Sequence, residues 1–345
     1  VFNSATTEYS CTVKNSVTSV DVNATATSTK AKVRGLGTKG LTVGKNTLPI
    51  RVIAEDGSEK IYNINIIRKA GASSLKNEIM KNTVITANPT LTTSSNNTSD
   101  ASGLYKSTAT NTGNPTYYFR GNVENNYVSF AGFTWRIVRV NEDGTIRIIM
   151  QDGINGNTKY KFNSKYNNYS YMYYTNSEAK TTLENWYQEN IGSKENFNSE
   201  VATGNYYCEQ AKAKQSDSAT SGSATMTTYN KYTPDFKCSS DGNGKGIVNA
   251  SVGLLSYDEV VYAGGYYNQN NRDYYLNNLS IYWYTISPSG FFNTSRVWVI
   301  THVGTIYNYY EGVNDNRCIR PVLNLTADTQ ISDGDGTKEN PFVVE

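Results

Sequence analysis

His302 is the only histidine in the 345 residues, and that count alone limits the chemistry. A metal centre built on three histidines is excluded, and a histidine general base would have to be His302 itself. It lies in a strand-and-turn segment, where a lone His is ordinarily a surface or packing residue and becomes a switch only beside suitable neighbours. Asp258 and Glu259 are adjacent carboxylates, and they read most simply as first-turn acids that favour a helix N-terminus. Asp333-Gly334-Asp335-Gly336-Thr337 is a short acidic glycine loop, a weak calcium candidate through Asp333 and Asp335. It lacks the third alternating acid and the terminal Glu of an EF-hand, so a closing turn is the simpler reading. The sequence contains no G-x-S-x-G and no phosphate-cradling glycine loop. No metal, no cofactor and no catalytic residue is expected.

Four cysteines allow three pairings. Cys208 and Cys238 flank the polar excursion QAKAKQSDSATSGSATMTTYNKYTPDF, which carries little to hold it in place. A disulfide is expected there rather than two buried thiols. Closing a loop of that length contributes on the order of 3–4 kcal/mol and implies an oxidising compartment. Cys11 and Cys318 fall in different expected domains and are left unpaired.

What remains is surface chemistry. Between Tyr266 and Arg317 the chain concentrates Tyr266, Tyr267, Arg272, Tyr274, Tyr275, Tyr282, Trp283, Tyr284, Phe291, Phe292, Asn293, Arg296, Trp298, His302, Tyr307, Tyr309, Tyr310, Asn314, Asp315 and Arg317. Tyr and Trp supply large, stiff, amphipathic contact area at small entropic cost, while Asn and Ser adapt their hydrogen bonds. That is the composition of binding hot spots. The competing reading is that strand aromatics are core. It is accepted for Trp298 and left open for Trp283, whereas the loop tyrosines are harder to bury because each hydroxyl needs a partner. All of these except Tyr275, Trp283 and Trp298 are taken as ligand-binding candidates.

The elements that must position these residues follow from pattern. Ser256 with Glu259 makes a capping box, and Gly264-Gly265 offers a left-handed stop, so a short helix precedes the aromatic stretch. Beyond it, alternating runs such as Val297–Ile300 are strand-like. Upstream, Tyr117–Arg120, Tyr127–Phe130, Thr134–Val140 and Thr145–Met150 read as antiparallel strands, punctuated by Gly132 and a Glu142-Asp143-Gly144 turn, with Trp135 in the core. Thr175 and Glu178 make a second capping box for a helix whose apolar face is Ala179, Leu183, Trp186 and Tyr187, ending near Gly192. Residues 1–69 read as all-β, with strands at Glu8–Val13, Ser19–Ala26, Thr47–Ala54 and Lys60–Arg68. Leu48, Ile50 and Val52 alternate with Pro49 and Arg51, and Asp56-Gly57 marks a hairpin. Ser74 caps a short helix bearing Leu75 and Ile79, and a Thr/Ser/Asn-rich linker follows. The expected domains are 1–70, a linker at 71–102, and 103–345 with its binding face at 266–317.

Composition narrows the class. Mean hydropathy is −0.56, yet 28 tyrosines bring aromatics to 12%, which argues for a folded chain with a polar, Tyr-rich surface rather than a disordered one. Net charge is only +2 with no basic cluster, so nucleic acid and anionic membranes are not expected partners. No apolar run approaches a membrane span, and membrane insertion by this segment is not expected. Val1 reads as lying inside a domain, so any export signal or anchor is expected outside this sequence.

Two resemblances add to this. The series TTEYSCTV…VTSVDVNATAT…AKVRGLGTKGLTVGKNTLPIRVIAEDGSEKIYNINI resembles the bacterial cadherin-like β-sandwich domain, lacking its opening strand, which implies a stalk or spacer. The order GLLSYDE…AGG…YWYTISPSGF…VW…G…RPVLNL resembles bacterial surface domains related to the sulfatase-modifying (formylglycine-generating) superfamily. FAGFTWRIVRVNEDGTIRIIMQDG before it and GDGTKENPFVV after it also fit. The likeness spans about residues 103–345 and implies a C-type-lectin-like α+β fold, which hosts both binders and enzymes. Formylglycine-generating relatives use a closely spaced Cys pair, and Cys318 has no such neighbour. The Glu-Pro-Asn, Gln-Pro-Asp and Trp-Asn-Asp tripeptides of calcium-dependent sugar binding are missing too. In Phe291–Ile319 every residue except Trp298 and Glu311 fits a codon ending in a pyrimidine. That set is reachable from Asn codons by adenine mutation, as in variable proteins of diversity-generating retroelements. Ordinary drift in an Asn/Tyr-rich loop gives the same pattern.

The expectation is a multi-domain protein, an all-β Ig/cadherin-like sandwich followed by an α+β C-type-lectin-like head, secreted or held at a bacterial cell surface. It acts as an adhesin-like binder of a protein or glycan on another cell, phage or host surface. The alternative is a structural subunit that self-associates into a surface fibre, and an enzyme of the superfamily ranks last.

Overall fold

The computed structural model describes residues 2–13, 17–68, 73–91, 100–204, 206–209, 234–238, 246–277, 281–291, 293–307 and 311–344. It divides into two compact units, 1–73 and 74–345. Both are mostly β strands, and the few helices lie in the second.

The first unit contains β1 (Glu8–Val13), β2 (Ser19–Val22), β3 (Lys32–Arg34), β4 (Gly37–Gly40), β5 (Gly44–Ile53) and β6 (Glu59–Arg68). One sheet runs β1-β6-β5-β3, and β2 pairs with β4 in a second. The alternation on β5 translates directly into burial: Ile50 is buried, Leu48 and Val52 are half-buried, and Pro49 and Arg51 are exposed. Pro49 has no N–H to donate, and it sits just beyond the Arg34↔Arg51 pair where β3 stops, so no ladder bond is lost. The β5–β6 hairpin turns at Asp56-Gly57, with Gly57 at φ 84° and the Asp56 carboxylate accepting from Ser58 N at 3.0 Å. The short β3 and β4 have too few residues to show alternation, and β2 ends at Val22 rather than Ala26.

The principal elements of the second unit are α1 (Leu75–Ile79), β7 (Val84–Ile85), β8 (Gly103–Ser107), β9 (Thr116–Arg120), β10 (Tyr127–Phe130), β11 (Phe133–Val140), β12 (Ile146–Met150), β13 (Lys159–Lys161), α2 (Glu178–Tyr187), β14 (Tyr206–Cys208), β15 (Ile247–Asn249), α3 (Tyr257–Ala263), β16 (Tyr266–Tyr267), β17 (Trp283–Phe291), β18 (Ser295–Ile300), β19 (Thr305–Tyr307), β20 (Asn316–Cys318), β21 (Val322–Leu325) and β22 (Phe342–Val343). One sheet runs β21-β12-β11-β9-β8-β7, with β10 pairing both β11 and β22; another runs β13-β20-β17-β18-β19-β16. A single core joins them, with Trp135 and Ile148 from the first sheet, Ile286 and Trp298 from the second, Leu183 from α2 and Val260 from α3.

Three local outcomes differ from expectation. The described part of 71–102 belongs partly to the second unit's framework: Leu75 and Ile79 enter its core, and β7 pairs in parallel with β8. Ser74 stands at the N-cap of α1 without a side-chain bond to the helix. Ser177, not Thr175, caps α2 by accepting from Lys180 N, which puts Glu178 in the first helical position. Thr175 instead sits in the preceding 3-10 turn and its hydroxyl donates to Glu209. The buried face of α2 is Ala179, Leu183, Trp186 and Tyr187, as its periodicity requires.

Candidate functional site

α3 and β17 form the platform for the aromatic stretch. The capping box of α3 is complete: Ser256 N donates to Glu259 Oε2 at 3.0 Å, Glu259 N donates to Ser256 Oγ at 3.2 Å, and Gly264 closes the helix at φ 118°. All nine residues of β17 are buried. Its polar side chains are used internally, since Thr285 Oγ1 donates to Trp298 O and Ser287 Oγ accepts from Tyr257 N, tying strand to helix. Register shifts around Pro288 let a residue without an amide donor lie in a central strand. Trp283 and Trp298 are both core, at 2% and 0% exposure.

At the edge of this platform the chain returns to solvent. Cys318 N donates to Tyr282 O at 2.9 Å, which lays β20 beside the residue that enters β17. The turn after β18 exposes His302, and Gly304 closes it at φ 76°, where an added Cβ would lie 1.7 Å from Asn271 O. His302 stacks on Tyr282 with centroids 5.5 Å apart and an interplanar angle of 17°. The Arg317 guanidinium lies 5.1 Å from the same ring. Arg317 is held in turn by Glu311, whose Oε2 accepts from its Nε at 2.9 Å and its Nη2 at 2.7 Å. Glu311 is 5% exposed, and burial raises its carboxyl pKa against the opposing pull of Arg317. An aromatic–imidazole–guanidinium cluster is thus fixed from below by a buried carboxylate.

The other candidates divide by burial. Arg272, Asn293 and His302 are exposed, while Tyr267, Tyr282, Arg296, Tyr307, Asn314, Asp315 and Arg317 are half-buried. Arg296 bridges Gly312 across the strand, bringing the Asn293 turn beside the Asn314-Asp315 turn. Tyr266, Tyr274, Tyr284 and Phe291 are buried, which corrects their placement on a binding face. The premise that loop tyrosines lack hydroxyl partners fails for them. Tyr266 Oη accepts from Arg120 Nη2 at 3.4 Å, Tyr274 Oη donates to Gly304 O at 3.2 Å, and Tyr284 Oη donates to Asp315 O while accepting from Phe162 N. Phe292, Tyr309 and Tyr310 lie outside the described residues. In the closing loop, Asp335 accepts from Thr337 N at 3.0 Å and Thr337 Oγ1 at 2.7 Å, the bonding of a self-capped turn.

The structure also builds a polar centre that the sequence reading missed. Glu259 is 4% exposed, and its Oε1 accepts from Arg139 Nε at 3.3 Å and Arg147 Nη1 at 2.5 Å. Burial pushes its carboxyl upward, but Arg147 and Arg139 outweigh burial and leave its pKa below the usual value. The available signal was the pair of arginines at core positions of the apolar strands FTWRIVRV and IRIIM. A cavity of about 150 Å³ opens beside this centre.

Cys208 and Cys238 form a disulfide, while Cys11 and Cys318 are free. Burial raises the Cys318 thiol pKa, and its Sγ donates to Asn157 O at 3.2 Å. Among the described residues no helix is long and apolar enough to cross a membrane, and the disulfide points to an oxidising, non-cytoplasmic setting. Comparison with curated proteins and with solved structures finds no match. Residues 1–69 match the family model described as a cadherin-like beta sandwich domain, which suggests an adhesion or surface-type role for the first unit.

Proposed function

We propose that this protein is an extracellular binding protein of a bacterial surface, a cadherin-like sandwich joined to an α+β head of C-type-lectin-like type, rather than an enzyme. The head captures a protein or glycan of another surface through Tyr282, His302 and Arg317, with Tyr267, Arg272, Asn293, Arg296, Tyr307, Asn314 and Asp315 around them. The observation that carries this is the Tyr282–His302–Arg317 cluster: large amphipathic groups at the surface, already held in place by Glu311 and β17, so that little ordering entropy is lost on binding. Adenine-directed diversification of Phe291–Ile319 is part of the proposal. The two residues outside its codon set, Trp298 and Glu311, are both buried and serve the scaffold.

The test is the double variant Tyr282→Ala/His302→Ala on a glycan and protein array. Arg317 is left intact because its loss would strand the Glu311 carboxylate. Two anchors of this kind are expected to weaken capture by at least about 30-fold (about 2 kcal/mol), with the melting temperature nearly unchanged. Undiminished capture, or a collapsed fold, would sink the assignment.

A further inference from the structure

The four-stranded sheet of the first unit ends on one side at β3 and on the other at β1, and the two edges are built differently. On β3 the outer residues, Lys32 and Arg34, are exposed cations, a common guard of a free edge. β1 runs Glu8-Tyr9-Ser10-Cys11-Thr12-Val13 in unbroken register with β6, without Lys, Pro or bulge. Its one charge is turned back onto its own sheet, since the Glu8 carboxylate accepts from Asn63 Nδ2 at 2.6 Å and Asn65 Nδ2 at 2.9 Å. No described strand pairs with the other side of β1. Asn63 N donates to Thr7 O at 2.7 Å. A parallel ladder repeats such bonds at every second residue, so Tyr9, Cys11 and Val13 turn their amides and carbonyls toward β6. Ser10 and Thr12 turn theirs to the open edge. Ser10, Cys11 and Thr12 are all exposed.

We propose that β1 is a self-association edge, on which β1 of a second copy lies antiparallel about Cys11 and the two Cys11 thiols join in an intermolecular disulfide. The strand is self-complementary in that register. Ser10 faces Thr12 of the second copy, and Thr12 its Ser10, in bonded pairs that use the outward amides and carbonyls. Tyr9 faces Val13, an aromatic–β-branched pair. Cys11 faces itself as a non-bonded pair, where Cα atoms approach to about 4.5 Å, inside the range of about 4.4–6.8 Å that a disulfide spans. A separate observation points the same way. Of the four cysteines, Cys208 and Cys238 bond each other and Cys318 is buried, so Cys11 is the one exposed thiol. In the oxidising setting which that bridge implies, a thiol left over at the surface calls for a partner chain. One Cys11 thiolate attacks a low-molecular-weight disulfide and releases one of its thiols, and Cys11 of the second copy then displaces the other. The small disulfide is the oxidant and takes up the electrons and protons that the two thiols lose. Twofold pairing closes on itself, so the product is a dimer and not a fibre. It carries two copies of the second unit, which raises avidity for a surface ligand, although the pairing itself does not depend on that ligand face.

The experiment incubates the full chain with oxidised glutathione and follows covalent dimer on non-reducing gels over time, with iodoacetamide labelling of Cys11 as the control for thiol access. The native chain is expected to convert to a dimer that dithiothreitol reverses, and Cys11→Ser to give none. Thr12→Pro removes an outward N–H that β6 does not use. It should slow dimer formation by about tenfold or more, while the rate of Cys11 labelling changes by less than about twofold. Should Thr12→Pro fail to fold, Thr12→Lys replaces it as an edge guard, with a slowing of about threefold or more expected. Failure of the native chain to dimerise overturns the proposal, as does a dimer that persists in Cys11→Ser. Equal rates in the native chain and the edge variant mean chance collision of an exposed thiol, and overturn the edge pairing. Tyr282→Ala/His302→Ala should dimerise like the native chain, so loss of array capture there and loss of dimer here are separate results.

Discussion

Replacing Glu259 by Gln isolates what the buried Arg139–Glu259–Arg147 centre contributes. In the native protein one carboxylate serves three donors: Oε1 takes Arg139 Nε and Arg147 Nη1, and Oε2 takes Ser256 N. Glutamine has one acceptor oxygen, so in either amide orientation its NH₂ group must face a donor, the capping-box amide or the two guanidiniums. The guanidiniums also lose the one carboxylate within ion-pair range of them among the described residues, while staying buried. Breaking a buried ion pair from one side costs about 3–5 kcal/mol. Ser256→Ala, which removes only the other half of the capping box, should cost about 1 kcal/mol. All four tryptophans, at 135, 186, 283 and 298, lie in the second unit and are buried, so fluorescence during urea titration reports that unit alone. With a urea slope of about 2–3 kcal/mol/M, Glu259→Gln should lower the midpoint by about 1–2 M. The folded-state pKa of Glu259 lies below its unfolded value near 4.5. Its contribution is therefore present above that pH and is lost as pH falls through the folded value, an acid dependence that the Gln variant should flatten. Glu311 shifts upward and so acts with the opposite sign, its contribution being lost as pH rises, and it cannot produce the acid-side loss. A Glu259→Gln cost below about 1 kcal/mol, or one equal to that of Ser256→Ala, would refute a net stabilising centre.

Two further perturbations test the frame. Cys208→Ser/Cys238→Ser opens a cross-link of sequence separation 30, and should lower the stability of the second unit by on the order of 3–4 kcal/mol, read as a reductant-insensitive lower urea midpoint. Gly304→Ala places a Cβ at φ 76° against Asn271 O. The backbone conformation alone costs about 1–3 kcal/mol, and a lowered melting temperature together with loss of the Tyr282–His302 stacking signature in NMR shifts is expected.

Legibility followed the range of the interactions involved. α3 was readable because its cap, its stop glycine and its span lie within ten residues, and Glu8–Val13 and Tyr127–Phe130 appear with the expected bounds. The cap of α2 moved two residues because Thr175 and Ser177 both offer a hydroxyl before an amphipathic run, and the distant Glu209 decides between them by taking Thr175. The burial of Tyr266, Tyr274 and Tyr284 was not readable at all. Each hydroxyl is matched by a group 30 to 146 positions away in sequence, and local composition carries no record of such partners. Trp283, left open between core and surface, is settled by its position at the start of a strand with sheet neighbours on both sides.

The buried arginines explain how loops can be stiff without being sheet or helix. Arg320 of the IRPVLNL segment is fully buried with no carboxylate in ion-pair range among the described residues; Nε donates to Met150 O at 3.0 Å and Nη1 to Leu276 O at 2.9 Å. Burial lowers its pKa to about 10, and the Trp283 face 4.8 Å away offsets part of the lost hydration. Arg120 binds the carbonyls of Thr90, Val261 and Tyr262, Arg136 that of Val123, and Arg147 that of Tyr206. Apolar residues of similar volume would stabilise the core at least as well, so the advantage of a guanidinium lies in its fork. Its several N–H donors each fix a backbone carbonyl at a defined point, most of them at the ends of loops or helices. One such anchor, Arg320, lies against the face of Trp283, the residue that follows Tyr282 of the proposed binding surface.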